Sequence, residues 1–531
     1  MTSTSHDQTK QDRANARNAA GTHTLDPLPR SLARLPEREF GYDQARHLLL
    51  RAGFGGTPDQ IQTLATWGLE KSVDYVVDVD EVPFDAQAEE AFDRNIMRPP
   101  TPDEQAEYRA ARRSRDEDVL ARFRLQRQNA QRADRGQIQR MQQWWLKRMI
   151  ETPRPLEEKM TLFWHGHFAT SYRTIENSYH MYMQNQLFRE HAVGNYGDLM
   201  FRIIRDPAML AYLDNNDSSA RRPNENLARE LMELFSLGEG NYTEKDIKEG
   251  ARALTGYSFD DDSFVFHEDR HDKGQKRILG KRGTLDGDGF VTAILEDRAT
   301  SSFIAAKLYD FFSLHLNAPA SDGDSAEARA TNAVVDDMGR ELLRSRYEVA
   351  PVLKKLFMSE HFYHPRVMNN RIKSPAELVV GAVRSLLTPV RDMGVLIQAM
   401  DLMGQHVFMP PSVKGWDGGR SWVNTSTLFV RQNMMNFLLT GRLPHGYDAT
   451  AKQEPYDPVP LLSPLIEASP ASARQADAVI DYLLRFTIGG SPEHARIALE
   501  DFANNQRRAD DTNLITGMLV LITAMPEYQL C

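Results

Sequence analysis

Between Asp206 and Gly238 the chain reads D-P-A-M-L-A-Y-L-D-N-N-D-S-S-A-R-R-P-N-E-N-L-A-R-E-L-M-E-L-F-S-L-G, placing six carboxylates within and just before an apolar, helix-forming frame. On a helix turning about 100° per residue, Glu225, Asn226, Arg229, Glu230 and Glu233 share a polar arc. Leu227, Leu231, Met232, Leu234 and Phe235 fill the other side. Two readings follow. One is an ordinary amphipathic helix whose Glu225–Arg229 and Arg229–Glu233 pairs each contribute about 0.2–0.5 kcal/mol. The other is an acid–base centre, because Glu230 lies toward the apolar edge, where burial raises a carboxyl pKa. The candidate catalytic set is Glu230, Asp214, Glu225, Arg229 and Asn224, of which Glu230, Asp214, Asn224 and Arg229 are expected close together and largely buried. The Asp214–Asp217 turn is oxygen-rich enough for a hard cation, though Asp and Asn equally form turns by bonding their own backbone.

Histidines supply a second chemistry. His165 and His167 flank Gly166; on a continuous helix they diverge by about 200°, so both reach one metal only if the helix ends there. With His180 or His271 and a carboxylate they would suit a divalent transition metal as cofactor. No pair forms a recognised ligand motif such as H-E-x-x-H, and bonding to buried carboxylates and backbone is the alternative. In G-W-D-G-G-R-S-W, Trp416, Trp422 and Arg420 form a candidate substrate-binding group that could stack a sugar or another flat ligand. The alternative is a packed loop anchored by both tryptophans.

The elements that must position these groups are helices. Ile138, Met141, Trp145 and Met149 fall on one side of a helix, and Pro102–Arg148 reads as a long, mostly solvated helix or helix pair laced with opposite charges. Apolar periodicity predicts further helices at Leu156–His165, Ile175–His191, Tyr196–Arg205, Pro223–Leu237, Thr243–Leu254, Ser302–His315 and Ala376–Leu387. Residues 256–290 break the pattern: Tyr257, Phe259, Phe264 and Phe266 alternate with polar residues among several glycines, which reads as a small β-hairpin excursion. The fold class is therefore all-α, predominantly helical, with one large body. Its expected organisation is a disordered polar tail at 1–40, a core at 41–440 and a C-terminal helical cap at 441–531. The Pro- and Gly-rich stretch from Gly441 to Pro464 is expected to cross the surface.

Composition narrows the function classes. A chain of 531 residues with 41% apolar content can bury a large core. The net charge of −10 argues against a general nucleic-acid binder. The single cysteine, Cys531, excludes an intramolecular disulfide. No apolar run reaches the length of a membrane span. No G-x-S-x-G elbow, Walker loop or dinucleotide fingerprint is present. The first residues lack a signal-peptide pattern, which points to the cytoplasm, with export alongside a partner as the alternative.

Several blocks, in order, resemble one bacterial family of unknown function. They are R-H-L-L-L-R-A-G-F-G-G-T-P from Arg46, P-L-E-E-K-M-T-L-F-W-H-G-H-F-A-T-S from Pro155, the Asp206–Gly238 stretch, R-A-L-T-G-Y from Arg252, H-D-K-G-Q-K-R-I-L-G from His271, K-S-P-A-E-L-V-V-G from Lys373, P-P-S-V-K-G-W-D-G-G-R-S-W-V-N from Pro410 and A-M-P-E-Y-Q from Ala524. The chain is similar to the domain-of-unknown-function 1800 family, from whose pattern Tyr257 departs, standing where that family usually has Trp. The resemblance implies no reaction. It implies a companion protein of the domain-of-unknown-function 1501 family, and family members that are often exported. An enzyme of hydrolase or lyase type and a non-catalytic scaffold for that companion are the two functional expectations.

Overall fold

Few apolar residues precede Ile138 in the polar stretch, and the structure divides there accordingly. The computed structural model describes residues 26–84, 92–316, 325–442, 454–506 and 511–531. Near the N-terminus come α1 (Tyr42–Ala52), α2 (Pro58–Trp67) and α3 (Leu69–Val77). Next, α4 (Pro102–Ser114) and α5 (Glu117–Glu151) form a helical hairpin, opened by a capping box in which Thr101 accepts from Glu104 N. The first half of α5 packs on α4, with Tyr108 edge-on to Phe123. From Asp134 its buried face begins, and Met141, Trp145, Leu146 and Met149 pack fully into the core. Burying each such side chain contributes about 1.5–3 kcal/mol.

Next in the chain come α6 (Pro155–His167), the single turn α7 (Tyr172–Ile175), α8 (Ser178–Glu190), α9 (Tyr196–Ile203), α10 (Pro207–Tyr212), α11 (Asn226–Glu233) and α12 (Glu244–Ala253). After the strands come α13 (Gly287–Glu296), α14 (Arg298–Phe312), α15 (Ala326–Arg344), α16 (Val349–Phe357), α17 (Pro375–Leu386), α18 (Met393–Leu402) and α19 (Thr425–Thr440). The C-terminal group is α20 (Ser463–Ala468), α21 (Ala476–Ile488), α22 (Glu493–Asn505) and α23 (Asp511–Ala524). α5 packs on α6, α8, α17 and α18, while α23 packs on α19. Among the described residues no helix is long and apolar enough to cross a membrane.

The all-α expectation with a small β excursion matches, with differences of detail. Residues 256–290 hold two hairpins instead of one. β1 (Tyr257–Asp260) pairs antiparallel with β2 (Ser263–Phe266), and β3 (Lys276–Ile278) with β4 (Lys281–Gly283). Asp286 then accepts from Gly289 N and starts α13, which ends the excursion. The helix expected from Pro223 begins at Asn226, because Asn224 lies outside it, donating to the Asp214 carbonyl at 2.8 Å and accepting from Asn226 N at 2.9 Å. Part of the expected tail is ordered: Leu28, Leu32, Leu35 and Phe40 are buried in the core, a contribution that the polar composition around them hid. Residues 1–25 of that tail, and 443–453 of the expected surface crossing, lie outside the described residues. Beyond the latter, Tyr456, Leu461 and Leu462 return to the core.

Basic side chains join helices that are distant in sequence, often at their C-terminal carbonyls. Arg46 of α1 donates to Phe486 O at 2.7 Å and Thr487 O at 2.9 Å, near the end of α21. Arg51 donates to Phe311 O, Phe312 O and Ser313 O at 3.3, 3.1 and 3.0 Å, at the end of α14. The partial negative charge of a helix C-terminus accounts for the pairing. Lys159 of α6 forms a buried ion pair with Glu377 of α17, whose other oxygen accepts from Ser374 N at 2.7 Å.

Candidate functional site: an acidic cleft over a buried Glu–Arg centre

α6 opens with two glutamates whose surroundings differ sharply. Glu158 is fully buried and accepts four hydrogen bonds, from Trp145 Nε1 (2.9 Å), Arg148 Nε (2.5 Å), Arg189 Nε (2.8 Å) and Arg189 Nη2 (3.0 Å). Burial alone would raise its proton affinity. The guanidinium groups of Arg189 and Arg148 outweigh that and hold the carboxyl below its ordinary range. Arg189 is itself held by Asn185 Oδ1 at 2.8 Å and lies 5.2 Å from the Trp144 ring centroid.

Glu157, one residue earlier, is raised. Burial is the main cause and the Glu158 charge adds to it, while Arg148, Arg189 and Arg154 offset only part. Its Oε1 meets Arg154 Nη1 at 3.4 Å, and its Oε2 is buried with no hydrogen-bond partner among the described residues, 3.5 Å from Arg148 Nη2. Adjacent carboxyls with opposed proton affinities separate a proton donor from a fixed anion.

Glu157 and Arg189 line a cleft of about 790 Å³. Its walls come from the end of α3 and the following turn, the ends of α6 and α8 nearest Glu157, and the start of α16. Asp78, Asp80, Glu81, Glu190 and Glu348 also line it, so carboxylates predominate. Asp78 is paired with Lys354 at 2.6 Å, and Glu348 accepts from Asn195 Nδ2 at 2.9 Å. An acidic wall favours substrates bearing amino or hydroxyl groups and disfavours anions.

The residues expected to be catalytic do not form this site. Asp214 is exposed, in the left-handed conformation at φ 54°. Arg229 is 34% exposed and pairs with Glu225 at 3.5 Å and Glu244 at 2.9 Å. The expectation of a buried cluster at Glu230, Asp214, Asn224 and Arg229 is therefore corrected: only the apolar arc of α11 faces the core, leaving its polar arc at the surface. Glu230 is half-buried, and burial followed by the neighbouring Glu233 charge raises its proton affinity, in the expected direction.

The four histidines are also separate. His165 Nε2 accepts from Phe408 N at 3.0 Å, and His167 Nε2 donates to Phe235 O at 2.9 Å. His180 Nε2 meets Asp261 O at 3.0 Å and Asp262 Oδ1 at 3.4 Å, while His271 Nδ1 meets Thr255 O at 2.8 Å. Burial holds both His165 and His167 down at about 3, so they are neutral. Among the described residues no group of three or more His, Cys, Asp or Glu side chains is placed to hold a metal ion. α6 runs through Gly166 to His167, which sends the two imidazoles to different partners.

Trp416 packs against Gly166 and lies 5.5 Å from His165, and Trp422 is buried beside Gly404. Arg420 is exposed. The loop is thus packed inward through its tryptophans, as in the packed-loop reading of the sequence. Sequence reasoning missed Glu157 and Glu158. The available signal was an adjacent acidic pair between Leu156 and Lys159, at the start of a block rich in large apolar residues (Met160, Leu162, Phe163, Trp164, Phe168).

A family model described as a protein of unknown function (DUF1800) matches residues 47–530. No curated protein and no solved structure matches the chain.

Proposed function

The chain belongs to the domain-of-unknown-function 1800 family, and since that membership supplies no reaction, we propose from its own residues an enzyme of hydrolase or lyase type with Glu157 as proton donor. One observation carries the reading: a carboxyl with raised proton affinity, one oxygen of which makes no hydrogen bond among the described residues and stands 3.5 Å from Arg148 Nη2, lines an acidic cleft of about 790 Å³. Glu157 gives its proton to the leaving oxygen or nitrogen of a substrate that carries hydroxyl or amino groups. Glu158 stays ionised and, through Arg189 and Arg148, holds the helix ends that frame the donor. Glu230 is not given this role, since it does not line the cleft.

The test is turnover of p-nitrophenyl glycosides, p-nitrophenyl esters and amino-acid p-nitroanilides by the native chain and by Glu157→Gln. Removing a general acid lowers kcat by about 10²–10⁴-fold. Equal turnover by both proteins removes Glu157 from the chemistry.

The second reading is a scaffold for a domain-of-unknown-function 1501 protein. It is favoured by the α4–α5 hairpin, which exposes Tyr108 and Leu125. Replacing both with Ser should abolish capture of that companion and leave turnover intact; unchanged capture counts against it.

A further inference from the structure

The last turn of α17 carries Arg384, whose Nη1 donates to three carbonyl oxygens that close α5: Met149 (3.2 Å), Ile150 (2.8 Å) and Thr152 (2.9 Å). Those bonds fix the guanidinium plane. Nε is buried without a partner among the described residues, and Nη2 meets no acceptor there either. A guanidinium tied through one terminal nitrogen, with Nε buried, keeps Nη2 as the donor for a carboxylate. Leaving the buried Nε unmade costs about 1–3 kcal/mol, which marks the guanidinium as held in place by its neighbours and not by its own hydrogen bonds alone.

Arg384 lines a second cleft, of about 550 Å³, on the other side of the α5–α6 turn from Glu157. Its volume falls in the range of about 300–1,000 Å³ typical of small-molecule sites. Trp67 and Tyr75 also line it, with ring centroids 5.2 Å apart and planes at 73°. Tyr75 is exposed, and Lys71 Nζ stands 4.5 Å from the Trp67 ring centroid. The remaining charges narrow the ligand. Asp59 and Glu151 line the same cleft, so it has no broad positive field, and a polyphosphate would meet two carboxylates for one guanidinium.

We propose that this cleft binds a flat monocarboxylate, its ring against Trp67 and Tyr75 and its carboxylate on Nη2 of Arg384. Burial lowers the Arg384 pKa only to about 10, so the guanidinium is charged at neutral pH and the ligand supplies the counter-charge it lacks. A free aryl acid and a peptide ending in an aromatic residue offer this same chemistry.

Isothermal titration calorimetry of the native chain with indole-3-carboxylate and N-acetyl-phenylalanine tests the proposal. The matching amides, indole-3-carboxamide and N-acetyl-phenylalanine amide, serve as controls. Saturable binding of an acid, with its amide at least about tenfold weaker, is expected. Whichever acid binds more tightly identifies the source. Arg384→Gln should weaken the acid about tenfold or more and leave the amide unchanged. Should that variant fail to fold, Trp67→Leu, on the opposite wall, should weaken acid and amide together. Equal binding of acid and amide, binding untouched by Trp67→Leu, or no binding of either acid overturns the proposal.

Discussion

Neutralising Glu157 and neutralising Glu158 should change the melting temperature in opposite senses, although the residues are neighbours. Glu158→Gln keeps the shape but removes the anion that receives Arg148 and Arg189. Breaking a buried pair by removing one partner costs about 3–5 kcal/mol. Unfolding entropy near the transition is about 2.1 cal/mol/K per residue, roughly 1.1 kcal/mol/K for 531 residues unfolding as one unit. The expected drop is thus about 3–5 °C near neutral pH. Glu157→Gln should leave the temperature unchanged or raise it. The folded-state pKa of Glu157 lies above its unfolded value, so between the two the folded protein binds more protons than the unfolded one. Stability falls as pH rises through that window, and above it the ionised carboxylate is a liability that Gln removes. The gain should shrink as pH falls and vanish toward about pH 3, where Glu157 is protonated in both states. For Glu158, depressed on folding, the sign reverses: its stabilisation is present above the unfolded pKa and lost as pH falls through the folded one. Scanning fluorimetry of both variants from neutral to acidic pH reads all of this. A Glu157→Gln drop as large as that of Glu158→Gln would show Glu157 to be an ionised partner of Arg148 and Arg154, refuting the proton-donor assignment.

Three further outcomes are expected. Gly415→Ala should cost at least about 2 kcal/mol in urea denaturation, because Gly415 sits at φ 80° and a Cβ would overlap the Gly166 carbonyl; a neutral effect would mean that the loop does not dock on α6. Lys159→Met should lower stability by about 3–5 kcal/mol by stranding Glu377, and a smaller loss would show that Arg371 and Arg51 suffice as counter-charges. His167→Ala should cost about 0.5–1.5 kcal/mol through the bond lost from Phe235 O, which keeps Tyr196 Oη as a donor, without altering metal content by elemental analysis, and loss of a stoichiometric metal would reverse the reading of the histidines.

The helical scaffold was legible because apolar spacing sets it: Met141, Trp145 and Met149 share a face in the sequence and in the core. Family blocks were legible too, yet the role of their charges was not. The charged arc of α11 resembled a reactive cluster, and spacing cannot tell a carboxylate facing solvent from one facing a core. Glu157 and Glu158 were hidden for the same reason. Their opposed proton affinities arise from Arg148 and Arg189, brought by α5 and α8, and no local pattern records which helices meet. His165 and His167 invited a shared metal because they are close in sequence, but their partners, Phe408 and Phe235, come from segments far along the chain.

The carbonyls that hold Arg46 lie 440 and 441 residues beyond it. At a synthesis rate of about 5–20 residues per second, α1 emerges roughly 20–90 s before α21 exists to receive it. Until then the guanidinium has nothing to exchange for its hydration shell and keeps α1 from settling into a dry interior. Arg51, 260–262 residues ahead of its acceptors, is under the same restraint. The two arginines delay the sealing of α1 until α14 and α21 have formed, so the finished interior is not a property of the leading half of the chain. During that interval the apolar face of α1 is open to whatever chaperone or protease meets the nascent polypeptide.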